Sequence, residues 1–307
     1  MKASIILGDA NDFHAQHMLD ACLAENMPAF LFDSASFPGS SCLSWYAEAS
    51  QGTLHLNELS LNFKDIGSVF WSSLNMCGTS DKMEAEQHQI AISDSSSMLR
   101  TFLEERSFNW VNSWQVFQFH KVKPRQLGLA SICGVNIPST YIGNNPDEIM
   151  RFLKSRGKCI YKPVYGGALA ATVTPELIEH NHLSKVLKIS PVTIQQYIPG
   201  TNIRTFVIDD QVYSAEVQSE QIDFRADESA EHVAIETPRD IKQKAQKILA
   251  EFGMKWTAID WRRDLCGNYF FLEANPSPMF TYFERCTGYP ITQQLTRLLR
   301  CNTNPHR

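Results

Sequence analysis

Near its C-terminus the chain carries KWTAIDWRRD-LCGN-YFFLEANP, two apolar strands joined by a tight polar turn, and this hairpin constrains the fold more than any other stretch. Placing Asp264 opposite Tyr269 across the turn sets Asp260 directly opposite Glu273. Side chains alternate along a strand, so Glu273 and Asn275 share a face, and two carboxylates with one amide oxygen converge on one patch. Two close carboxylates repel unless a cation lies between them, and an all-oxygen donor set favours Mg²⁺, with Mn²⁺ as the alternative. A solvated hairpin with incidental acids is the plainer explanation; the apolar setting of the acid in FFLEANP weighs against it.

Two lysines form a second element: Lys123 in KPRQL and Lys162 in IYKPV, the latter on an apolar strand shortly before Gly166 and Gly167. A strand lysine beside a glycine turn can offer ammonium and backbone N–H groups to phosphate oxygens. Either lysine alone is more often a snorkelling surface residue. Arg204 and Arg225 lie in the same β-rich part, where each alone reads as a solvated face.

Charge separates the chain into unlike parts. Residues 1–118 hold 5 Lys and Arg against 14 Asp and Glu, a net of -9, whereas residues 119–307 hold 23 against 19, a net of +4. An anionic ligand therefore belongs in the second part. The overall net charge of -5 argues against a nucleic-acid partner or a polybasic membrane binder. With 307 residues, 43% hydrophobic and 20% charged, the chain can bury at least two cores. Its 8 cysteines include no CxxC pair, so reduced, mostly buried thiols are expected. No signal-peptide core and no apolar run of ~20 residues is present, which predicts a soluble cytoplasmic protein without a membrane partner.

Strand, helix and strand are expected over ASIILGDA, FHAQHMLDACLAENM and AFLFD, followed by strands at 53–56 and 66–71, a helix from about Met83 to Glu105 and a strand at Asn109–Val111. NSWQVFQFH reads as a linker into the helix KPRQLGLASICG. In NNPDEIMRFLKSRG, Asn145 caps, Pro146 takes the first helical position and Gly157 ends the helix. The β-rich stretch that follows includes NIRTFVIDDQVYSAEV, a hairpin with an Asp209-Asp210 turn. The helix RDIKQKAQKILAEFG, the last hairpin and the helix YPITQQLTRLLR complete the chain. GxGxxG and GxxxxGK[ST] are both missing, so neither Rossmann nor P-loop binding has local support. EHNH at 179–182 reads as a polar helix end rather than a nuclease site, the scattered tryptophans as core, and Cys286 as no nucleophile.

Residues 123–140 (KPRQLGLASICGVNIPST), 158–167, QQYIPGTNIR, DFR, AID, FLEANPSP and FERCTGYPITQQLTRLL resemble, in order and spacing, the ATP-grasp ligases. Within that group the likeness is greatest to the graspetide synthetases, the microviridin-type peptide ligases, and next to the ribosomal-protein glutamate ligases. It spans about residues 109–300, and the N-terminal third is similar to the α/β pre-ATP-grasp domain. The resemblance implies an α/β fold, α+β in its catalytic part: a pre-ATP-grasp domain over 1–118, a central subdomain over 119–190 and a C-terminal subdomain over 191–307. It further implies ATP between two antiparallel sheets. Lys123 and Lys162 match phosphate-contacting lysines, with the Gly166-Gly167 turn beside them. Gln196 and Ile198 match the connection that meets adenine through its backbone, and Asn202 a position near the ribose. Asp260, Glu273 and Asn275 match the residues that hold two Mg²⁺. Arg204 and Arg225 match catalytic arginines near the γ-phosphate and acyl group.

The activity so implied is ATP-dependent, ADP-forming ligation through an acyl phosphate, building side-chain ester or amide crosslinks in a precursor peptide with a leader segment. A homodimer is an assembly open to such a chain. Two alternatives stand beside it: a ligase joining a free amino acid to a protein tail or small carboxylic acid, and a non-catalytic nucleotide-binding protein. Two departures bear on the acceptor: Pro278 and Met279 follow Ser277 where such synthetases usually carry Gly, and Ser72-Ser73 stand where many relatives carry arginines.

Overall fold

The computed structural model describes residues 2–78, 84–219, 221, 223–227 and 229–300. The chain groups into two compact units: Met1–Gln115 with Ser277–Glu284 and Tyr289–Arg307, and Val116–Pro276 with Arg285–Gly288.

The first unit is built on a parallel sheet in the order β2-β1-β6-β7, from β1 (Ala3–Leu7), β2 (Ala29–Phe32), β6 (Ile66–Trp71) and β7 (Asn109–Val111). Every residue of β1 and of β6 is buried, which is why both read as unbroken apolar runs rather than alternating ones. Helix α1 (Phe13–Ala24) starts at Asp12, whose side chain accepts from the His14 N–H, and α2 spans Ala85–Leu103. Met83, where the sequence pattern began that helix, lies outside the described residues. A small antiparallel sheet, β3 (Ser41–Tyr46), β4 (Gln51–Leu56) and β5 (Leu59–Asn62), contains the expected strand at 53–56. Its two outer strands escaped the sequence reading because half of their residues are exposed and they lack a continuous apolar stripe.

The second unit contains two antiparallel sheets. One has the order β10-β9-β11-β8, from β8 (Thr140–Gly143), β9 (Cys159–Pro163), β10 (Ala171–Thr172) and β11 (Val192–Gln196). Cys159, Tyr161 and Ile194 point into a core with Ile149 of α5 (Pro146–Arg156) and Leu183 and Leu187 of α6 (His180–Leu187). Alternation then turns Ile160, Lys162, Thr193 and Gln195 to the other face. The other sheet has the order β14-β13-β12-β15-β16, from β12 (Gly200–Ile208), β13 (Gln211–Gln218), β14 (Glu231–Ile235), β15 (Trp256–Asp264) and β16 (Tyr269–Asn275). Ile203, Val207, Ile259 and Trp261 pack against α4 (Lys123–Ile132) and α7 (Arg239–Glu251), leaving Asn202, Arg204, Asp260 and Arg262 on the opposite face. Gly200 opens β12 because a Cβ there would lie 1.9 Å from the Arg263 carbonyl oxygen on the neighbouring strand. The stretch read as a linker holds helix α3 (Trp114–His120), which buries Val116 and packs Phe119 on the same core.

After β16 the chain forms α8 (Thr281–Thr287) and α9 (Ile291–Arg300). Ser277–Glu284 and the chain from Tyr289 onward group with the first unit.

Helix α5 starts as its sequence dictates: the Asn145 side chain accepts from the N–H groups of Asp147 and Glu148, and Gly157 at φ 67° closes the other end. Asn145→Ala is expected to cost about 1 kcal/mol in urea unfolding; an unchanged midpoint would show that the cap carries no stability.

Candidate ATP and metal site

The acids of the last hairpin meet as expected, but by a different route. Arg263, not Asp264, pairs with Tyr269, and a register shift between Asp260 and Trp261 restores the Asp260–Glu273 pairing. The shift is a bulge at Leu272, and it changes what the strand can do. Phe271 faces the core, Leu272 and Glu273 both line the cleft between the two sheets, and Ala274 returns to the core. Unbroken alternation would have put Glu273 on the face of Phe271. Asn275, opposite Ala258, follows two residues after Glu273 and on its face.

Each acid has its own cation. Lys123, at the start of α4, places Nζ 2.8 Å from Glu273 Oε2. Arg204, directly across from Asp260 on β12, sets Nε 3.1 Å from Asp260 Oδ1. Burial pushes the Glu273 carboxyl up, but the charge and hydrogen bond of Lys123, with Lys162 and His120, overcome this and hold it below the usual range. Asp260 goes the other way: burial raises it, Arg204 opposes, and the negative charge of Glu273 adds to the rise. Lys162, on the cleft face of β9, donates to Gln195 Oε1 at 3.3 Å. Burial lowers its ammonium, and Glu273 works against that loss.

Of the residues predicted from sequence, Lys123, Lys162, Gly166, Gln196, Ile198, Asn202, Arg225, Asp260 and Glu273 line one cavity of about 140 Å³. Gly166 and Gly167 have φ of 107° and 88°, a left-handed turn open to glycine. Gly167, Arg204 and Asn275 are not among the lining residues; Arg204 reaches the site through Asp260. Arg225 is held in a two-pronged pair by Asp223, Nε to Oδ1 at 2.8 Å and Nη2 to Oδ2 at 2.5 Å. Asp223 also accepts from the Ala170 N–H, tying the glycine loop to the turn that carries Arg225.

Buried Oδ1 of Asp260 faces Arg204 Nε without the alignment of a hydrogen bond, leaving an acceptor that a cation can use. Among the described residues no group of three or more His, Cys, Asp or Glu gathers as a metal centre. Asp260, Glu273 and Asn275 thus suit an ion that takes its remaining oxygens from phosphate and water.

Three residues escaped the sequence reading. Gln126, 1% exposed, donates to the Ala274 carbonyl and accepts from the Ala274 N–H, so α4 closes the edge of β16 as a further strand would. His120 also meets the Ala274 carbonyl, at 3.0 Å, so its Nδ1–H donates and Nε2 is left facing Lys123 Nζ at 3.3 Å. Burial, then Lys123, lowers the imidazole to about 4. The third, Arg262, donates to the Ile198 carbonyl at 2.9 Å. The spacing of His120, Lys123 and Gln126, three residues apart, was the available signal; reading 112–120 as a linker hid it.

His120 and His232 are both held neutral to about pH 4 by burial, whereas each takes a proton near 6.5 when unfolded. Acid therefore favours the unfolded chain: their stabilisation is full above about 6.5 and lost as pH falls toward 4. Thermal unfolding across that window is expected to show a falling Tm, with a shallower fall for His120→Gln; identical slopes would remove His120 as a contributor.

A RimK-like ATP-grasp domain matches residues 120–299. A D-alanine--D-alanine ligase of Francisella tularensis subsp. novicida is 27% identical over 133 residues, 39% of this chain and 45% of that protein. A probable alpha-L-glutamate ligase of Teredinibacter turnerae is 26% identical over 199 residues, 60% of this chain and 65% of that protein. The chain thus spans less than two thirds of the length of these curated relatives. Among solved structures, the ATP-grasp ligase PsnB, complexed with a phosphomimetic variant of minimal precursor, Mg and ADP, is similar with a TM-score of 0.82 and 27% identity. That match covers 97% of both chains. The cleft between two antiparallel sheets, its paired lysines and acids, and the match over 120–299 lead to one conclusion: the chain belongs to the RimK-like ATP-grasp family.

Proposed function

We propose that the chain is an ADP-forming, ATP-dependent carboxylate ligase that forms ester or amide crosslinks between side chains of a precursor peptide. The observation that carries this is the joining of Lys123, Lys162, Asp260 and Glu273 in one cleft, on a chain similar to PsnB over 97% of its length. A carboxylate is a poor electrophile until one oxygen becomes a leaving group. In the proposed reaction that oxygen attacks the γ-phosphorus of ATP and ADP departs; a hydroxyl or amine then attacks the acyl carbon and releases phosphate. Lys123 and Lys162 bind phosphate oxygens, Gln195 orients Lys162, and Arg204 and Arg225 meet the charge of the transferring group. Bound at Asp260, Glu273 and Asn275, Mg²⁺ would supply charge neutralisation across the phosphates. Arg225 reaches that charge only after exchanging Asp223 for it, since the two are paired here. A partner peptide carrying a leader segment, cytoplasmic placement and two bound Mg²⁺ belong to this same proposal. No described helix is long and apolar enough to cross a membrane.

The similarity to the probable alpha-L-glutamate ligase supports a second function, addition of a free amino acid to a protein tail or small carboxylic acid. Mass separates the two. Incubated with Mg-ATP, a short peptide encoded beside this gene is expected to lose one or more waters under the first; a gain in mass, or ADP release triggered only by a free amino acid, establishes the second.

Glu273→Ala is expected to abolish ADP production while circular dichroism stays native; normal turnover in the folded variant would remove the metal assignment. Lys162→Met is expected to weaken ATP binding about tenfold or more, the loss of a charge-assisted contact; unchanged affinity in calorimetry would move the phosphate role elsewhere.

A further inference from the structure

Between β11 and β12 the chain runs through Tyr197, Ile198 and Pro199 without strand pairing, along the cleft. Peptide groups in such a stretch must be oriented by something other than a ladder. Tyr197 N–H donates to the Lys158 carbonyl, and the Ile198 carbonyl accepts from Arg262 Nε at 2.9 Å. The same guanidinium sends Nη2 to the Tyr197 hydroxyl at 3.4 Å and lies 5.7 Å from the centre of that ring. Lys158 Nζ lies 4.4 Å from the same ring centre. With its carbonyl turned to Arg262, Ile198 has an N–H that meets no acceptor among the described residues. The cleft that Ile198 lines also has the apolar side chains of Pro138, Ile142, Ile160 and Leu272 in its walls. A flat heteroaromatic ring fits such walls, and the N–H asks for an acceptor on the ring edge.

We infer that Arg262 is a positioning residue for the nucleobase: it holds the Ile198 carbonyl to itself, so that the Ile198 N–H is the group that meets the ring edge, and it thereby sets the preference for adenine over guanine. This rests on the ATP-binding function proposed above. The chemistry follows from the rings themselves: N1 of adenine is an acceptor, whereas N1 of guanine carries a hydrogen, so a fixed N–H donates to the first and repels the second. Arg262 lies opposite Asn202 on the strand pair that carries Arg204 and Asp260, and its Nε and Nη2 are spent on the connection. Its work is on the base and not on the phosphates.

The test is calorimetry on the full chain with excess Mg²⁺, using ATP, GTP and inorganic tripolyphosphate, which has the charge but no base. For Arg262→Met the expected result is an ATP affinity lower by about tenfold, from loss of a charged hydrogen bond, with the ATP-to-GTP ratio falling toward one. Tripolyphosphate binding is expected to change by less than about twofold, within the scatter of a distant substitution. Arg262→Lys, which keeps the charge but not the two-pronged hold, is expected to recover part of the ATP affinity. An equal loss for ATP and tripolyphosphate would make Arg262 a phosphate ligand and overturn the inference, as would an unchanged ATP-to-GTP ratio in both variants. If Arg262→Met does not fold, Arg262→Lys decides alone, with a loss for ATP and none for tripolyphosphate expected. A wild-type chain that binds no nucleotide would instead sink the ligase function itself.

Discussion

The ion pair of Lys123 and Glu273, 2.8 Å apart, is the interaction about which the cleft is organised. Glu273, partly buried, stands beside a second and buried carboxylate, Asp260, and two such charges do not stay together without compensation. Lys123 answers one and Arg204 the other, and Lys162 adds a positive field across the cleft. The two acids respond oppositely: burial pushes both up, but Lys123 gives Glu273 a charge and a hydrogen bond with Lys162 beside it, whereas at Asp260 burial and the charge of Glu273 outweigh Arg204. A site of this kind is charged before any ligand arrives, so an anionic, metal-bearing ligand exchanges partners within it rather than burying new charge.

Holding that pair depends on the edge of the sheet. Among the described residues β16 has no neighbouring strand on its outer side, and α3, α4 and the chain just after α4 take that place: Gln126 pairs with both backbone groups of Ala274, His120 with its carbonyl, and the Phe271 N–H donates to the Asn136 carbonyl. These bonds fall on either side of Glu273, so the same elements that close the edge fix the acid and deliver Lys123 to it. Asp223 acts similarly on the opposite rim, pinning Arg225 and the glycine loop together. Hydrogen bonds of this kind are costly to leave half made, which is why they hold geometry better than exposed ion pairs do.

Much of this was legible in the residues. The acids in an apolar hairpin, the lysine before a glycine turn and the Asn145 cap needed only alternation, spacing and turn chemistry, whereas the order of motifs was read through the resemblance to the ATP-grasp ligases. Some elements were missed for identifiable reasons: β3, β5 and β14 have half or more of their residues exposed, so no apolar period marks them, and α3 is seven residues with a mixed face. Asp260 and Glu273 were matched through a wrong partner for Tyr269, and a bulge made the match hold.

What the sequence determined is local. Period-two alternation decides which side chains of β9, β11, β12 and β15 leave the core, and that sends Lys162, Gln195, Arg204 and Asp260 to one side. Tertiary structure decided the rest. The bulge at Leu272 turns Glu273 from the core face to the cleft, and its extra residue is accommodated by partners at Asn136 and Gln126, well over a hundred residues away. The neutrality of His120, the closing of β16 and the hold of Arg262 on Ile198 likewise depend on groups distant in sequence, and no local spacing encodes contacts that only packing brings together.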